Sequence, residues 1–145
     1  MFKQNKFASF IKELTNSERN VTAVLDNLFK SAVNLVNNTE ELREESIDQD
    51  IIIQINITDI DFIFWFRIFN GKVTYKKGFN DKATLKIELT KDMMIKMIRG
   101  ELSGLDAFMR GKLKASGSLS HGFTYIKTFR SIGKYLDQAS NKKIR

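Results

Sequence analysis

The spacing of the apolar residues changes close to residue 50, and this change limits the fold more than any other feature of the chain. Before it, Val21, Val24, Leu25 and Leu28 recur at the spacing of one helical face. After it, residues 51–57 place isoleucine at every second position, which is the period of a strand. The sequence therefore predicts a helical first part followed by a sheet.

Turn and capping signals divide the rest of the chain into further elements. Asn70-Gly71 is a strong hairpin signal because both residue types tolerate a positive φ, and Thr90 and Gly100 suit the start and the end of a helix. We expect an α+β fold: a five-stranded, mostly antiparallel sheet, whose first four strands form a meander, with a helical layer on one face. The predicted helices are 7–14, 17–37, 90–100, 105–110 and 119–136, and the predicted strands are 51–58, 62–69, 72–76, 83–89 and 112–115.

The length of 145 residues is that of a single domain, and no internal repeat divides it. We divide the chain into an amino-terminal amphipathic helical extension at 1–16, one folded domain at 17–136 and a polar basic tail at 137–145. The sheet and most of the helices are expected in the middle segment.

The charge of the chain is unevenly distributed. Residues 1–60 hold six basic and ten acidic side chains, whereas residues 61–145 hold eighteen basic and seven acidic ones. A basic second part is typical of proteins that bind nucleic acid or an anionic membrane surface, and both remain alternative functions. Lysine outnumbers arginine 17 to 7 and lies on turns and polar strand faces, whereas arginine supplies most bidentate contacts to bases. We therefore do not expect a nucleic-acid partner.

The residue types present argue against catalysis. There is no cysteine, which excludes disulfides, thiolate metal sites and cysteine nucleophiles. His121 is the single histidine, and Ser118 and Ser120 beside it have no evident orienting carboxylate, so we expect a structural or surface histidine. No phosphate-binding loop is present, and no apolar run reaches the ~18–20 residues of a membrane-spanning helix. We expect a cytoplasmic, non-enzymatic protein without cofactor or metal.

Soft, large apolar side chains are concentrated in one stretch of the second part. Met93, Met94 and Met97 lie on a predicted helix, and Phe108 and Met109 lie on the next one. Methionine fills irregular space and adapts to varied ligands, so this stretch suits either the lining of a plastic lipid cavity or ordinary core packing. The residues alone leave both interpretations open.

The order of motifs around these residues resembles the sterol carrier protein type-2 domain family. The resemblance is carried by residues 83–90 (Ala-Thr-Leu-Lys-Ile-Glu-Leu-Thr), a Met/Ile helix after Asp92, and Ala107-Phe108-Met109-Arg110-Gly111-Lys112-Leu113 followed by Gly117. It extends more loosely over residues 21–136. Relatives often have a proline before the Ala-Phe pair, where this chain has residues 103–106 (Ser-Gly-Leu-Asp).

The resemblance implies non-catalytic binding and transfer of a lipid, such as a sterol, a fatty acid, a fatty acyl-CoA or a phospholipid. It implies a sterol-carrier-like fold at 17–136 with an apolar tunnel between sheet and helices. Strand residues, methionines and the final helix would then line the tunnel. The ligand-binding residues expected by this analogy are Phe64, Phe66, Ile68, Met94, Met97, Phe108, Met109, Leu113, Ala115, Phe123 and Ile126.

The opposite strand face is unusually apolar because it carries Ile63, Trp65 and Phe69. We expect it to be covered, either by the amphipathic helix at 7–14 or by a second copy of the chain in a homodimer. The segment 1–16 also combines apolar and basic residues in the manner of helices that lie on anionic membranes. Packing of this segment on its own domain and docking on a membrane both remain open.

Overall fold

The computed structural model of the protein describes residues 21–44 and 47–122, and in this part the change of apolar period separates helix from sheet as expected. In chain order the elements are α1 (Val21–Asn37), α2 (Glu40–Glu44), β1 (Asp50–Ile57), a 3₁₀ turn (Thr58–Ile60), β2 (Phe62–Phe69), β3 (Lys72–Lys77), β4 (Leu85–Leu89), α3 (Lys91–Ile98), α4 (Gly104–Met109) and β5 (Lys114–Gly117). The five strands form one sheet in the order β3-β2-β1-β4-β5. The α+β fold with a five-stranded, mostly antiparallel sheet is thereby confirmed.

The first three strands form a meander. β1 and β2 pair antiparallel with Ile55 opposite Phe64, and β2 pairs antiparallel with β3. The second hairpin turns at Asn70 and Gly71, which have φ values of 52° and 77°. Two positive φ angles in a two-residue loop match the twist of the flanking strands, so the hairpin predicted from this dipeptide is confirmed.

The fourth strand does not continue the meander, and that part of the sequence interpretation is wrong. β4 lies beside β1 and runs parallel to it, with Leu85 opposite Ile53 and Ile87 opposite Ile55. Because β3 and β4 run in the same direction, residues 78–84 must cross β2 and β1 on one face of the sheet. The side chain of Gln54 marks that face, since its Oε1 accepts a hydrogen bond of 2.7 Å from the backbone N–H of Asn80.

The helices cover the other face, here called the inner face. α1 packs there through Phe29, whose ring centroid lies 4.8 Å from that of Phe64 and 5.4 Å from that of Phe66. Phe29 and Phe64 are almost fully buried. Aromatic pairs at such separations add about 0.5–1.5 kcal/mol each beyond the burial of their area. The cluster therefore fixes α1 over β2 and β3.

A side-chain amide at the end of α1 also closes part of the sheet edge. Asn37 Nδ2 donates to the carbonyl of Val73 at 2.8 Å, and Asn37 Oδ1 accepts from the N–H of Val73 at 2.8 Å. β3 is an edge strand. One amide thus takes the place of a neighbouring strand at Val73, where an unpaired edge would otherwise offer both backbone groups.

Two strands begin later than the sequence suggests, and for β5 the reason is local. β4 starts at Leu85 rather than Ala83, and β5 spans Lys114–Gly117 rather than residues 112–115. The N–H of Lys112 binds the carbonyl of Ala107 at 2.8 Å, so Lys112 still belongs to the end of α4. A residue used to close a helix cannot also enter the strand ladder.

The outer face of the sheet is partly covered. Ile63 and Trp65 are half-buried, whereas Phe69 exposes 49% of its surface. The amphipathic helix at 7–14, the start of the helix at 17, Phe123, Ile126 and the tail at 137–145 lie outside the described residues, so the division into three segments stays a prediction. Within the described ranges, none of the helices combines the length and apolar character needed to cross a membrane.

Two glycines with similar φ angles allow the cost of backbone strain to be measured apart from the cost of steric overlap. Gly78 has a φ of 108° and open space where a methyl group would lie, while Gly117 has a φ of 106° and a Cβ there would overlap the carbonyl oxygen of Thr84. Gly78→Ala should lower the free energy of unfolding by about 1–3 kcal/mol through backbone strain alone. Gly117→Ala should cost about 1–3 kcal/mol more, because the overlap adds to the same strain. Urea unfolding of both variants measures this, and equal losses would contradict the close packing of β5 on β4.

A carboxylate on the inner side of α1 joins the helix to the edge strand. Asp26 is 8% exposed; its Oδ1 accepts from the Tyr75 hydroxyl at 2.7 Å, and its Oδ2 lies 3.0 Å from Lys30 Nζ and 3.7 Å from Lys77 Nζ. Burial raises the pKa of this carboxyl, but the hydrogen bonds from Tyr75 and Lys30 and the charges of Lys77 and Lys30 outweigh burial, so its pKa lies below the usual value. Burial and the contact with Asp26 raise the pKa of the Tyr75 hydroxyl.

The lowered pKa of Asp26 and the raised pKa of Tyr75 predict that stability falls at both low and high pH. Because the native pKa of Asp26 is lowered from 3.8, its contribution is present above that pH and is lost as the pH falls through the lowered value. Asp26→Asn should be less stable by about 1–3 kcal/mol at pH 7, and the difference from the wild type should shrink below about pH 4.

The raised pKa of Tyr75 stabilises the fold up to pH 10.0, and the advantage of the wild type over Tyr75→Phe in free energy of unfolding should shrink above that pH. Denaturant unfolding of the wild type and both variants between about pH 2 and 11 checks the two predictions. A difference in free energy of unfolding between Asp26→Asn and the wild type that stays constant at low pH would contradict the first.

Candidate functional site

The inner face of the sheet has two parts that differ in how completely they are filled. Over β2 and β3, α1 leaves Phe64 fully buried and Phe66 5% exposed. On the β4 and β5 side, Ile87 and Ala115 are only partly buried, although they lie directly opposite each other in the sheet. We call these two residues the β4–β5 strip. Its partial accessibility makes it the candidate contact surface for an apolar ligand.

The register of β4 explains why this strip is apolar and faces inward. Leu85, Ile87 and Leu89 are opposite Ile53, Ile55 and Ile57 of β1, so all six side chains share the inner face. Leu85 and Leu89 are buried at 1% and 4% exposure, unlike Ile87 between them. The intervening Lys86 and Glu88 point to the outer face and are exposed. Alternation along β4 thus supplies an apolar wall without any polar group on it.

α3 follows β4 in the chain and carries three methionines. It begins at a cap in which the Thr90 hydroxyl accepts from the N–H of Met93 at 3.3 Å, as predicted from the sequence. Met93 and Met94 are buried in the core, and Met97 is partly buried against it. The helix ends at Ile98, and Gly100, just after the Arg99 cap, has a φ of 76°. The short helix therefore presents one flexible, apolar face to the core.

α4 lies close to the core through one small residue. Ala107 has no exposed surface, while Ser103 caps the helix by accepting from the N–H of Asp106 at 3.1 Å. At the other end, the N–H of Lys112 binds the carbonyl of Ala107 and the N–H of Gly111 binds that of Phe108. This is the Schellman arrangement, in which a glycine at positive φ reverses the chain. The reversal brings Leu113, which is 7% exposed, back toward the inner face.

The structure places the predicted ligand-binding residues in three environments. Phe64, Phe66, Ile68, Met94 and Leu113 are buried; Met97 and Ala115 are partly buried on the side of α3, β4 and β5; and Phe108 and Met109 are 39% and 75% exposed. Phe123 and Ile126 lie outside the described residues. Contact of these side chains with a ligand stays a prediction.

A cleft of about 430 Å³ lies elsewhere, at the meeting point of α1, α2 and the β2–β3 hairpin. Six of its eight lining residues have polar or charged side chains, and none of the eight is a predicted ligand-binding residue. The residues that line the cleft are Asn37, Asn38, Glu40, Arg43, Glu44, Ile47, Asn70 and Gly71.

The single histidine has a structural contact. His121 Nδ1 lies 2.8 Å from Thr84 Oγ1, whose hydroxyl also donates to the carbonyl of Ile52 at 3.0 Å. Since Thr84 uses its proton there, His121 is assigned as the Nδ1–H donor. Nearby, Ser118 Oγ pairs with Ser120 Oγ at 3.0 Å rather than with the histidine. Within residues 21–44 and 47–122, no three acidic or histidine side chains are grouped in a way that could hold a metal ion.

Sequence reasoning missed two positions that the structure makes prominent. Ile87 could have been predicted as a residue of the inner face from the alternation of residues 83–89, since it shares a face with Leu85 and Leu89. Asp26 could have been noticed in the sequence because it is a charged residue next to the apolar positions Val24 and Leu25 of α1. A carboxylate on a buried helical face signals a partner, which here is Tyr75.

Comparison with solved structures shows which proteins share this arrangement. Sterol carrier protein 2 from Yarrowia lipolytica, in its apo form, superimposes with a TM-score of 0.59 at 13% identity over 79% of this chain and 94% of its own. A crystal structure of sterol carrier protein 2 gives 0.56 at 16% identity over 74% and 91%. A double mutant of the sec-alkyl sulfatase PisA1 gives 0.60 at 20% identity over 72% of this chain. At these identities the likeness concerns the fold.

The chain spans 15% of the length of that alkylsulfatase, so it corresponds to a small part of a larger enzyme. No curated protein sequence matches the chain. The family model that matches is that of the SCP-2 sterol transfer family, over residues 32–130. This range includes the sheet, α3, α4 and the β4–β5 strip. The chain therefore belongs to the SCP-2 sterol transfer family.

Proposed function

We propose that the protein binds a lipid in an apolar tunnel between the sheet and the helices, and that it carries this lipid without changing it chemically. The ligand would be a sterol, a fatty acid, a fatty acyl-CoA or a phospholipid. The observation that carries the proposal is the incomplete burial of Ile87 and Ala115, two apolar residues that lie opposite each other on the inner face. Membership of a sterol transfer family supports the same ligand class.

The chemistry of the β4–β5 side suits an apolar chain. Ile87 and Ala115 would form the floor of the tunnel, with Met94, Met97 and Leu113 beside them. Each methylene of a lipid that leaves water for such a surface contributes about 0.8 kcal/mol. A long acyl chain therefore binds through many small contributions, even after the cost of immobilising it. Methionine side chains adapt their shape, which suits ligands of more than one outline.

The part of the inner face that α1 covers is not proposed as the first contact surface of the ligand. Phe64 and Phe66 already contact Phe29, so a ligand would reach these rings only if Phe29 moved away. Ile68 is 2% exposed on the same face. We therefore place the ligand first on the β4–β5 side, with Phe64, Phe66 and Ile68 as the wall that α1 covers.

The arrangement of polar groups supports binding rather than catalysis. The hydrogen-bonded groups near β4, Thr84 and His121, are engaged with each other and with the backbone of Ile52. The inward positions of β4 carry leucine and isoleucine only. A non-catalytic carrier needs no proton donor at the ligand, and the proposal includes none. A cytoplasmic location belongs to the same proposal.

Ligand binding is tested first with intact protein and two probes. Titration with cis-parinaric acid, a fluorescent fatty acid, and with dehydroergosterol, a fluorescent sterol, should give saturable binding to at least one of them. Mass spectrometry of the protein extracted under native conditions should show a co-purified lipid. Failure of both probes to saturate, together with no co-purified lipid, would overturn the proposal.

A volume change at the strip tests the location of the ligand. Ala115→Leu adds three carbon atoms at a partly buried position of the inner face, so it should weaken binding of the probe by roughly tenfold or more, as expected for a loss above 1.4 kcal/mol. The matched control is Ala23→Leu on the exposed side of α1, which should leave the affinity unchanged. Fluorescence titration of both variants measures the difference.

The stability of the same variant separates a ligand site from ordinary core. If the space beside Ala115 accommodates a ligand, leucine fits there and the free energy of unfolding changes little. If the space is closely packed, overpacking should lower the free energy of unfolding by about 1–3 kcal/mol. A destabilised Ala115→Leu variant with unchanged probe affinity would place the ligand elsewhere.

A further inference from the structure

The outer face of the sheet brings together aromatic and basic side chains that come from three strands and from the crossover. Trp65 and Phe69 occupy outward positions of β2, since they alternate with the buried residues of the inner face. Phe79, in the crossover, lies on the same side, because its ring centroid is 5.6 Å from Nζ of the outward Lys86 of β4. Phe69 is 49% exposed and Phe79 is 66% exposed, whereas Trp65 is half-buried. We call Trp65, Phe69 and Phe79 the outer aromatic group.

Each ring of the outer aromatic group has a lysine beside it. In the register of β2 and β3, Lys76 lies directly opposite Trp65, and Lys72 lies directly opposite Phe69. Residues in such positions have Cβ atoms about 4.5–5.5 Å apart, so both lysines border the rings. The contact in the crossover repeats this arrangement a third time. Lys72, Lys76 and Lys86 are exposed, and they form no ion pair in the described part of the chain.

The other charges on this face of the strands and in the crossover cancel each other. Arg67 is paired with Asp50, with 3.2 Å between Nη2 and Oδ1. Lys114 lies directly opposite Glu88 in the register of β4 and β5. Residues 81–82 of the crossover are an aspartate followed by a lysine. The net positive charge of the outer face therefore comes from the three lysines beside the rings.

We propose that the outer face binds single-stranded nucleic acid without preference for its sequence. Bases stack on the outer aromatic group, and the neighbouring lysines hold the phosphates. Aromatic platforms combined with cations along the backbone are the general means by which proteins bind single strands. The expectation of no nucleic-acid partner concerned bidentate contacts of arginine to base edges, and this mode of binding uses none of them.

The position of the cations favours a nucleic acid over a bilayer as the partner. Arg67 places its guanidinium 4.6 Å from the ring centroid of Phe69, and Lys86 places its ammonium 5.6 Å from that of Phe79. A ring that enters the acyl region of a bilayer would draw its cation with it, which is costly. A base stacked on the ring, by contrast, carries a phosphate that the same cation attracts.

The charge of the face also disfavours coverage by this chain itself. A two-fold dimer through the outer face would bring identical surfaces together, so that a surplus of lysine would meet the same surplus. The segment at 1–16 holds three lysines and one glutamate, and the tail at 137–145 holds three basic residues and one acidic residue. Both segments therefore have the same sign of charge as the face. A polyanion complements the charge that these occupants would repel.

The chain contains its own reporter for the test, since Trp65 is the single tryptophan. The full chain is titrated with oligo(dT) of about 16 nucleotides while tryptophan fluorescence and the anisotropy of the labelled oligonucleotide are measured. Saturable quenching of Trp65 is expected, because a base stacks on its ring. The logarithm of the affinity should fall with that of the salt concentration at a slope of about −2, which corresponds to three phosphates at about −0.7 each.

Two variants separate the charges from the rings. Lys72→Gln/Lys76→Gln/Lys86→Gln should weaken binding by roughly tenfold or more and bring the salt slope close to zero, because it removes the phosphate contacts. Phe79→Ala should weaken binding by roughly tenfold through the loss of one stacked base, and it should leave the salt slope unchanged.

Matched controls exist on the helices. Lys91→Gln/Arg110→Gln/Lys112→Gln also removes three positive charges, from the start of α3 and the end of α4, and should change the affinity by less than about threefold. Leu105→Ala shortens a 38% exposed side chain of α4 and should bind oligo(dT) like the wild type. Equal losses in the two triple variants would mean that the general charge of the chain attracts the oligonucleotide, and would overturn the proposal.

Three further outcomes would overturn the proposal. The wild type shows no saturable binding of oligo(dT), or it binds oligo(dT) without a change in the fluorescence of Trp65. Alternatively, the triple variant Lys72→Gln/Lys76→Gln/Lys86→Gln keeps its affinity for oligo(dT) but loses flotation with phosphatidylserine vesicles or changes its mass in light scattering. That last result would assign the face to a membrane or to a second copy of the chain.

The proposal is independent of the lipid site, which lies on the opposite face of the sheet. The triple variant Lys72→Gln/Lys76→Gln/Lys86→Gln should therefore bind cis-parinaric acid like the wild type, which also shows that it is folded. A variant that loses both ligands together would contradict the assignment of the lysines to a separate surface.

Discussion

The position of β4 depends on Thr84, the residue immediately before that strand. Its N–H donates to the carbonyl of Ile52 at 2.8 Å, its hydroxyl donates to the same carbonyl at 3.0 Å, and its Oγ1 lies 3.2 Å from the N–H of Ile52. On its other side, the carbonyl of Thr84 accepts from the N–H of Ser118 at 2.8 Å. One residue thus joins β1 to the beginning of β4 and to the end of β5. These hydrogen bonds fix the start of β4 between β1 and β5, beside the β4–β5 strip.

The elements could be predicted from local signals, whereas the order of the strands could not. The alternation of residues 51–57, the Asn70-Gly71 turn and the Thr90 cap are each decided by neighbours in sequence. The crossover at residues 78–84 contains no helix, so a meander is the simpler interpretation of four strands in succession. What decides against it is long-range: Asn80 binds Gln54 and Thr84 binds Ile52, contacts across 26 and 32 positions. Gln54 was the one available sign, as a polar residue that is buried on the outer face.

The candidate site was predictable to a different extent on its two sides. Family resemblance led to Met94, Met97, Leu113 and Ala115; the structure buries Met94 and Leu113 and leaves Met97 and Ala115 partly buried, and their contact with a ligand stays a prediction. It also led to Phe64 and Phe66, which the ring of Phe29 covers. Which rings α1 covers depends on its angle to the sheet, and the helical period of residues 21–37 does not contain that angle. The exposure of Met109 depends likewise on Ala107 facing the core.

The amide of Asn37 has a consequence for where a ligand can enter. Because the same residue ends α1 and pairs with Val73, the helix cannot lift from the sheet without releasing the backbone groups of the edge strand. Opening on this side would therefore expose an apolar sheet face and an unpaired strand edge at once, the combination from which intermolecular β-sheets grow. The two hydrogen bonds between Asn37 and Val73 thus hold the end of α1 on the edge strand. In the proposed function, a ligand that enters on the side of β4 and β5 would leave this contact intact.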